Sequence, residues 1–123
     1  MTLRINKNIR VVEIDLIIDI LSRLPHGLRI DYSGTHYDAY AYNDTAEQIV
    51  LRGSDCDIPV NIEHVKPLLR RMNSMTNEEK TKYKTLLANA TVDGKVWEVT
   101  DWLNSNMFDY RGLIDKNMAV EII

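Results

Sequence analysis

The sequence predicts a single α+β domain with an N-terminal helix, a three- or four-stranded antiparallel meander and two C-terminal helices. Apolar residues recur at helical spacing near residues 12–24 and again after residue 76, and short β-branched runs lie between these two stretches. No linker or low-complexity tract interrupts the 123 residues. Because a chain of this length can bury one hydrophobic core, residues 1–123 are interpreted as one domain.

The first element is a helix over residues 12–24, VEIDLIIDILSRL. Its aliphatic residues lie at i, i+3, i+4, i+7 and i+10, which places them on one helical face. They are Ile14, Ile17, Ile18, Leu21 and Leu24. This spacing turns Asp15, Asp19, Ser22 and Arg23 toward solvent. Pro25 ends the helix, because proline has no N–H to donate and clashes with the preceding turn.

The middle of the chain has the alternation of β-strands. The runs GLRIDYS, THYDAYAY, EQIVLR and IPVNI are separated by turn sequences, among them Ser33-Gly34 and GSDCD. A sheet this small needs a helix over its apolar face to be stable. The N-terminal helix is the predicted cover.

The stretch MTNEEKTKYKTLLANA predicts a helix with a capping box. Thr76 and Glu79 stand three residues apart, so each side chain can accept a hydrogen bond from the other residue's backbone N–H. The predicted buried stripe of this helix consists of Tyr83, Leu86, Leu87 and Ala90.

The next stretch, DGKVWEVTDWLNSNM, is open to two interpretations. Asp93-Gly94 can form a hairpin turn. A helix from about residue 95 to residue 106 is favoured, because apolar residues recur at helical spacing and Trp102 widens their face. The residues on that row are Val96, Val99, Leu103 and Met107.

Composition bounds the cellular setting. The net charge is −3, and a single cysteine, Cys56, excludes an internal disulfide and suits a reducing compartment. The segment MTLRINKNIR has no apolar core of the signal-peptide type, and the apolar stretch LIIDIL is too short to span a bilayer. These features predict a soluble, cytoplasmic protein that does not associate with membranes.

No motif in the sequence predicts catalysis. The three histidines, His26, His36 and His64, lack the spacing of a metal site, although His36 and Asp38 share one face of a strand and suit a hydrogen-bonded pair. Cys56 has no basic neighbour to activate it as a nucleophile. We therefore expect no enzyme activity, no metal and no cofactor.

Charge is distributed unevenly along the chain. Residues 29–65 hold seven acidic and two basic side chains, whereas residues 66–84 hold six basic and two acidic ones. A nucleic-acid-binding face is therefore one alternative function, with Lys66, Lys80, Lys82 and Lys84 as its residues. The isoelectric point near 5.6 and the lack of a base-reading motif disfavour it.

Large side chains are crowded in NSNMFDYRGLIDK, and two interpretations of this corner stay open. In the first, Phe108 folds back on the core and Asp109 pairs with Arg111 to hold the bend. In the second, aromatic and arginine side chains project as a protein-contact surface, because these residue types dominate interface energies. The residues of that surface are Trp102, Tyr110 and Arg111, with Arg70 and Arg71 as a charged rim.

Three stretches, LSRLPHGLRI, VKPLLRRMNSMTNEEK and DWLNSNMFDYRGLIDKNMAVE, carry a family resemblance. They resemble short uncharacterised proteins encoded by phages and other mobile elements of gut Bacteroidetes, which share the pattern VKPxLRxMxSMTxEE, then WLN, then FDYRGLI. The resemblance implies an intracellular bacterial setting and transfers no catalytic residue. Together with the contact surface, it predicts a non-enzymatic module that binds a host or mobile-element protein.

Overall fold

The computed structural model describes residues 11–122, and side chains from residue 14 onward. The expectation about the segment MTLRINKNIR therefore lies outside the described residues. The three α-helices are α1 (Val11–Arg23), α2 (Asn77–Asp93) and α3 (Val96–Ser105). The strands are β1 (Arg29–Tyr32), β2 (Thr35–Asn43), β3 (Gln48–Arg52), β4 (Asp57–Asn61), β5 (Val65–Arg71), β6 (Phe108–Asp109) and β7 (Val120–Glu121).

The strands form a seven-stranded mixed sheet in the order β4-β3-β2-β1-β5-β6, with β7 also paired to β5. Strands β1 to β4 are the predicted antiparallel meander. Strand β5 adds to it antiparallel beside β1, while β6 and β7 run parallel to β5. The sheet therefore has more strands than the three or four that were predicted. VKPLLRR was interpreted as a basic segment although most of its residues are buried, and two-residue strands leave no periodicity to detect.

The turn between β1 and β2 confirms the predicted Ser33-Gly34 turn. Both residues have positive φ, at 53° and 84°. Two consecutive residues of this kind are typical of the tight hairpin turn whose twist matches that of the flanking strands. The turn sets the register in which Asp31 lies opposite His36.

The main core lies between α1 and the sheet, as predicted, but the buried face of α1 differs from the predicted one. Ile18 is 40% exposed, whereas Asp19 and Arg23 are completely buried. The apolar spacing alone could not show this, because the C-terminal part of the chain covers α1 and supplies partners for both charges. The fully buried apolar residues of this core include Ile20, Leu28, Ile30, Ile49, Leu51, Leu69 and Leu113.

A second, smaller cluster joins α2 and α3 to β6. The helix over residues 95–106 is confirmed against the hairpin alternative, and so is the capping box. Thr76 Oγ1 accepts from the Glu79 N–H at 3.2 Å, and Glu79 Oε1 accepts from the Thr76 N–H at 2.9 Å. Leu87 and Val96 were wrongly predicted to be buried. The buried members of this cluster are Met75, Leu86, Val99, Leu103 and Phe108.

Within residues 11–122, none of the helices combines the length and the apolar character needed to cross a membrane.

Candidate contact surface

The corner formed by residues 108–112, FDYRG, contacts α1 through a buried ion network; we call it the FDYRG corner. Arg23 Nε and Nη2 each donate to the Asp19 carboxylate at 3.0 Å, and Arg111 Nη1 donates to the same carboxylate at 2.7 Å. Arg23 Nη2 also donates to the Phe108 carbonyl at 2.7 Å. Because Asp19 and Arg23 are fully buried, the loss of one partner would leave an uncompensated charge inside the protein.

Two positive charges share the single carboxylate of Asp19, and an aromatic ring compensates part of the excess. The guanidinium carbons of Arg23 and Arg111 lie 5.4 Å and 4.7 Å from the centre of the Tyr110 ring, within the range of cation–π attraction. Arg23 Nη1 is buried without a hydrogen-bond partner among the described residues. Tyr110 and Arg111 therefore hold α1 against the corner.

The bend itself is not held by the predicted Asp109–Arg111 pair. Arg111 reaches α1 instead, and the Asp109 carboxylate accepts hydrogen bonds from the backbone N–H groups of Leu113 and Ile114, both at 2.9 Å. Gly112 lies inside this bend with φ of 73°, a conformation that side chains with a β-carbon rarely adopt. Asp109 thus fixes the bend through the backbone, which leaves Arg111 free to reach Asp19.

The two predicted aromatic anchors are half-buried. Trp102 stacks on Tyr83, with ring centres 6.2 Å apart and planes inclined by 14°, and it lies 5.6 Å from the ring of Phe108. The Tyr110 hydroxyl donates to Asn104 Oδ1 at 2.9 Å. Both rings therefore make part of the second cluster, and only their remaining faces are open to a partner.

Arg70 and Arg71, the predicted rim, point to different partners. Arg70 makes a two-pronged contact with Glu79 at 2.7 and 2.8 Å and lies over the ring of Phe108. The bond from Arg70, together with the Thr76 N–H, lowers the pKa of Glu79 to about 2. Arg71 instead donates to Asp115 and Glu121, and these bonds raise its pKa. Arg70 thus joins the second cluster, whereas Arg71 holds the C-terminal segment.

The lysines of the nucleic-acid alternative are divided between two elements. Lys80, Lys82 and Lys84 are exposed on α2, and none makes an ion pair with another described residue. Lys66 lies in β5 and donates to Asn117. The helix thus presents three of the four predicted lysines, and the fourth is apart from them in the sheet.

Two of the three histidines, His26 and His36, make separate contacts with aspartates. His36 approaches Asp31 at 3.5 Å on the neighbouring strand, and Arg29, not His36, approaches Asp38. His26 lies 3.3 Å from Asp101. Over residues 11–122, His, Cys, Asp and Glu side chains do not gather in any group of three that could hold a metal ion.

The sequence interpretation missed the most exposed large hydrophobic residues among those that the structure describes. Val92 is 88% exposed, Trp97 is 66% exposed and Val96 is 62% exposed. We call these three residues the hairpin tip, because they flank the turn that joins α2 to α3. Trp97 could have been found, since about 100° of rotation per residue places it roughly 160° from Val99 on α3. Val96 could not, because its place on the apolar row predicts burial.

The turn under the hairpin tip has a defined geometry. Gly94 ends α2 in the left-handed conformation, and its N–H donates to the Ala90 carbonyl at 2.9 Å. The Asp93 side chain accepts from the Lys95 N–H at 3.3 Å. The C-terminus of α2 is therefore capped, and the Val96 N–H at the start of α3 donates to the Gly94 carbonyl at 2.9 Å.

No protein-family model matches this chain, and no curated protein or solved structure matches it either.

Proposed function

We propose that this chain is a non-enzymatic protein-interaction module of a phage or mobile element in a gut bacterium, and that it binds a host or mobile-element protein in the cytoplasm. The hairpin tip is its contact surface. The observation that supports this choice is the exposure of Trp97 together with that of Val92 and Val96. The family resemblance of the VKPLLRR and FDYRG stretches supports the proposed setting.

An exposed tryptophan is a strong candidate anchor for a partner. Tryptophan is among the residues that contribute most to binding energy when they enter a partner's pocket. The first turn of α3 carries Trp97, and further along the same helix Val99 and Leu103 are buried in the second cluster. Because the backbone that carries Trp97 is already helical, binding of a partner would cost little additional backbone entropy.

The predicted anchors at the corner have a different role in this proposal. Trp102, Tyr110 and Arg111 stabilise the packing of the corner against α1 and the second cluster, because their main contacts are with Tyr83, Asn104 and Asp19. Their replacement is expected to lower stability first and to reduce partner binding only as a consequence.

Affinity capture from a host lysate, read by mass spectrometry, tests the proposal. Trp97→Ala is expected to lose partner capture while its thermal unfolding temperature stays at the wild-type value. Tyr40→Ala is the matched control, because Tyr40 is also an exposed aromatic but lies on β2. Retention of the wild-type partners by Trp97→Ala would remove the hairpin tip as the contact surface. Loss of capture in Tyr110→Ala without loss of stability would return that role to the corner.

A nucleic-acid accessory function is the second candidate. It is favoured by one observation, the exposure of Lys80, Lys82 and Lys84 on a single helix. Phosphate contacts of this kind weaken steeply as salt is added. A gel shift that falls with salt and drops in Lys80→Gln/Lys84→Gln would support it, and the absence of a shift at low salt would exclude it.

A further inference from the structure

We infer that helix α2 is a cover over the second cluster, and that it opens locally while α1 and the sheet stay folded. Opening uncovers the aromatic face of α3 and β6, to which Trp102 and Phe108 belong. This conformational device goes beyond the proposed function and does not depend on the hairpin tip. Three features of α2 support it: its exposure, the small number of contacts that hold it, and its threonines.

Helix α2 is exposed along most of its length. Of its 17 residues, Leu86 is buried and Glu79, Tyr83 and Ala90 are half-buried, whereas the others are exposed. The strands of the main core bury whole aliphatic side chains instead, and Ile49 on β3 is completely buried. Because a helix in a protein is stabilised mainly by the packing of its apolar face, α2 is held more weakly than these strands.

Two side-chain contacts supplement the packing of Leu86. Tyr83 stacks on Trp102, with ring centres 6.2 Å apart, and the Glu79 carboxylate accepts two hydrogen bonds from Arg70 at 2.7 and 2.8 Å. Both contacts lie in the first half of α2. The second half is joined to α3 by the turn of the α2–α3 hairpin, so the loss of a few contacts is enough to release the helix.

Three threonines inside α2 weaken the helix itself. The hydroxyls of Thr81, Thr85 and Thr91 each donate to the backbone carbonyl four residues earlier, at 3.0, 2.9 and 2.9 Å. Hydrogen bonds of this kind slightly destabilise helices, and β-branched side chains also lose rotamer freedom there. Isolated short helices are marginal in water, so α2 is expected to unfold when it leaves the cluster.

The face under α2 stays attached to the rest of the protein when α2 opens. The rings of Trp102 and Phe108 lie 5.6 Å apart, and Val99 and Leu103 belong to the same cluster. Arg23 of α1 donates to the Phe108 carbonyl at 2.7 Å, a contact in which α2 takes no part. Opening therefore changes which apolar residues face solvent without loss of the main fold.

Hydrogen exchange of the full chain at low urea concentrations, measured by NMR, tests this inference. The amides of residues 83–90 are expected to have protection factors about tenfold or more below those of β3. Their exchange should also depend less on urea, because local opening exposes less surface than global unfolding. Equal protection and equal urea dependence in the two regions would overturn the inference.

A variant in the packed face of α2 shows whether this exchange requires opening of the helix. Leu86→Ala should raise the exchange of residues 83–90 about tenfold or more, because the lost packing exists only in the closed state. Leu87→Ala is the matched control, since Leu87 is the neighbouring leucine and is 42% exposed. If Leu86→Ala has no greater effect than Leu87→Ala, the amides exchange without movement of α2 and the inference is wrong.

A variant in the main core shows whether α2 opens independently. Ile49→Val removes buried volume from β3 and should raise the exchange of β3 about twofold to tenfold, while residues 83–90 keep their rate. An equal increase in both regions would mean that α2 opens only when the whole protein unfolds, which contradicts the inference. Partner capture by Trp97 is a separate measurement, so the failure of either proposal leaves the other intact.

Discussion

The main core and the α2–α3 hairpin differ in which residues they bury: the main core buries charged residues, whereas the hairpin leaves large apolar residues exposed. Between α1 and the sheet, even charged residues are buried, and Asp19 with Arg23 is surrounded by protein. In the hairpin, three large apolar residues stay in solvent around a helix that buries only Leu86. The first region is closed by contacts between distant parts of the chain. The second is built from neighbouring residues and leaves apolar surface exposed.

This difference in burial predicts that replacements in the main core affect stability, whereas replacements at the hairpin tip affect binding. A buried ion network contributes little net stability relative to apolar residues, but its disruption is costly because the remaining charges stay buried. Exposed apolar residues contribute little to folding, so their replacement is expected to affect association instead. The following three experiments test this contrast, in order of decreasing effect.

Removal of the carboxylate in the main core should have the largest effect. Asp19→Ala leaves Arg23 buried without its partner and releases Arg111, so we expect a loss of about 3–5 kcal/mol in the free energy of unfolding, measured by urea denaturation. Asp15→Ala is the control on the same helix, because the Asp15 side chain is only partly buried. Equal losses in both variants would show that the network has no special role.

Within α3, the two faces should respond differently to truncation. Leu103→Ala removes buried apolar volume from the second cluster and is expected to cost about 2–5 kcal/mol. Val96→Ala removes an exposed side chain from the same helix and should change the free energy of unfolding by less than about 0.5 kcal/mol. Urea denaturation of the two variants measures both values. A large loss in Val96→Ala would mean that the hairpin tip is needed for folding.

The smallest effect is expected at the contact between β5 and the start of α2. The pKa of Glu79 is lowered in the folded protein to about 2 from 4.5, so its contribution is present above pH 4.5 and is lost as pH falls toward 2. Glu79→Gln should cost about 1–3 kcal/mol at neutral pH, the value of a hydrogen bond to a charged group.

Urea denaturation as a function of pH checks this expectation. The difference between wild type and Glu79→Gln should narrow as the wild-type carboxylate is protonated. Glu78→Gln provides the control, because Glu78 is exposed and carries the same charge at the neighbouring position. A constant difference between wild type and Glu79→Gln across the acid range would contradict the assigned pKa.

Much of the fold could be predicted because its signals are local. The capping box at Thr76 and Glu79, the turn at Ser33-Gly34 and the four strands of the meander all depend on residues a few positions apart. The proposed contact surface could be predicted from such local signals only in part. The helical rotation of Trp97 indicates its exposure, but the predicted contact residues Trp102, Tyr110 and Arg111 have partners that no local pattern reveals.

Local chemistry along the chain was sufficient to define the α+β class, the helices and the order of the meander, because periodicity, caps and turns act between near neighbours. The pairing of β6 and β7 with β5, the inward direction of Asp19 and Arg23, and the exposure of Val96 were decided only in the folded protein. The reason is physical. Arg111 lies 92 residues from Asp19 in sequence and Phe108 lies 85 residues from Arg23, so the partners that complete this buried ion pair come from a distant part of the chain.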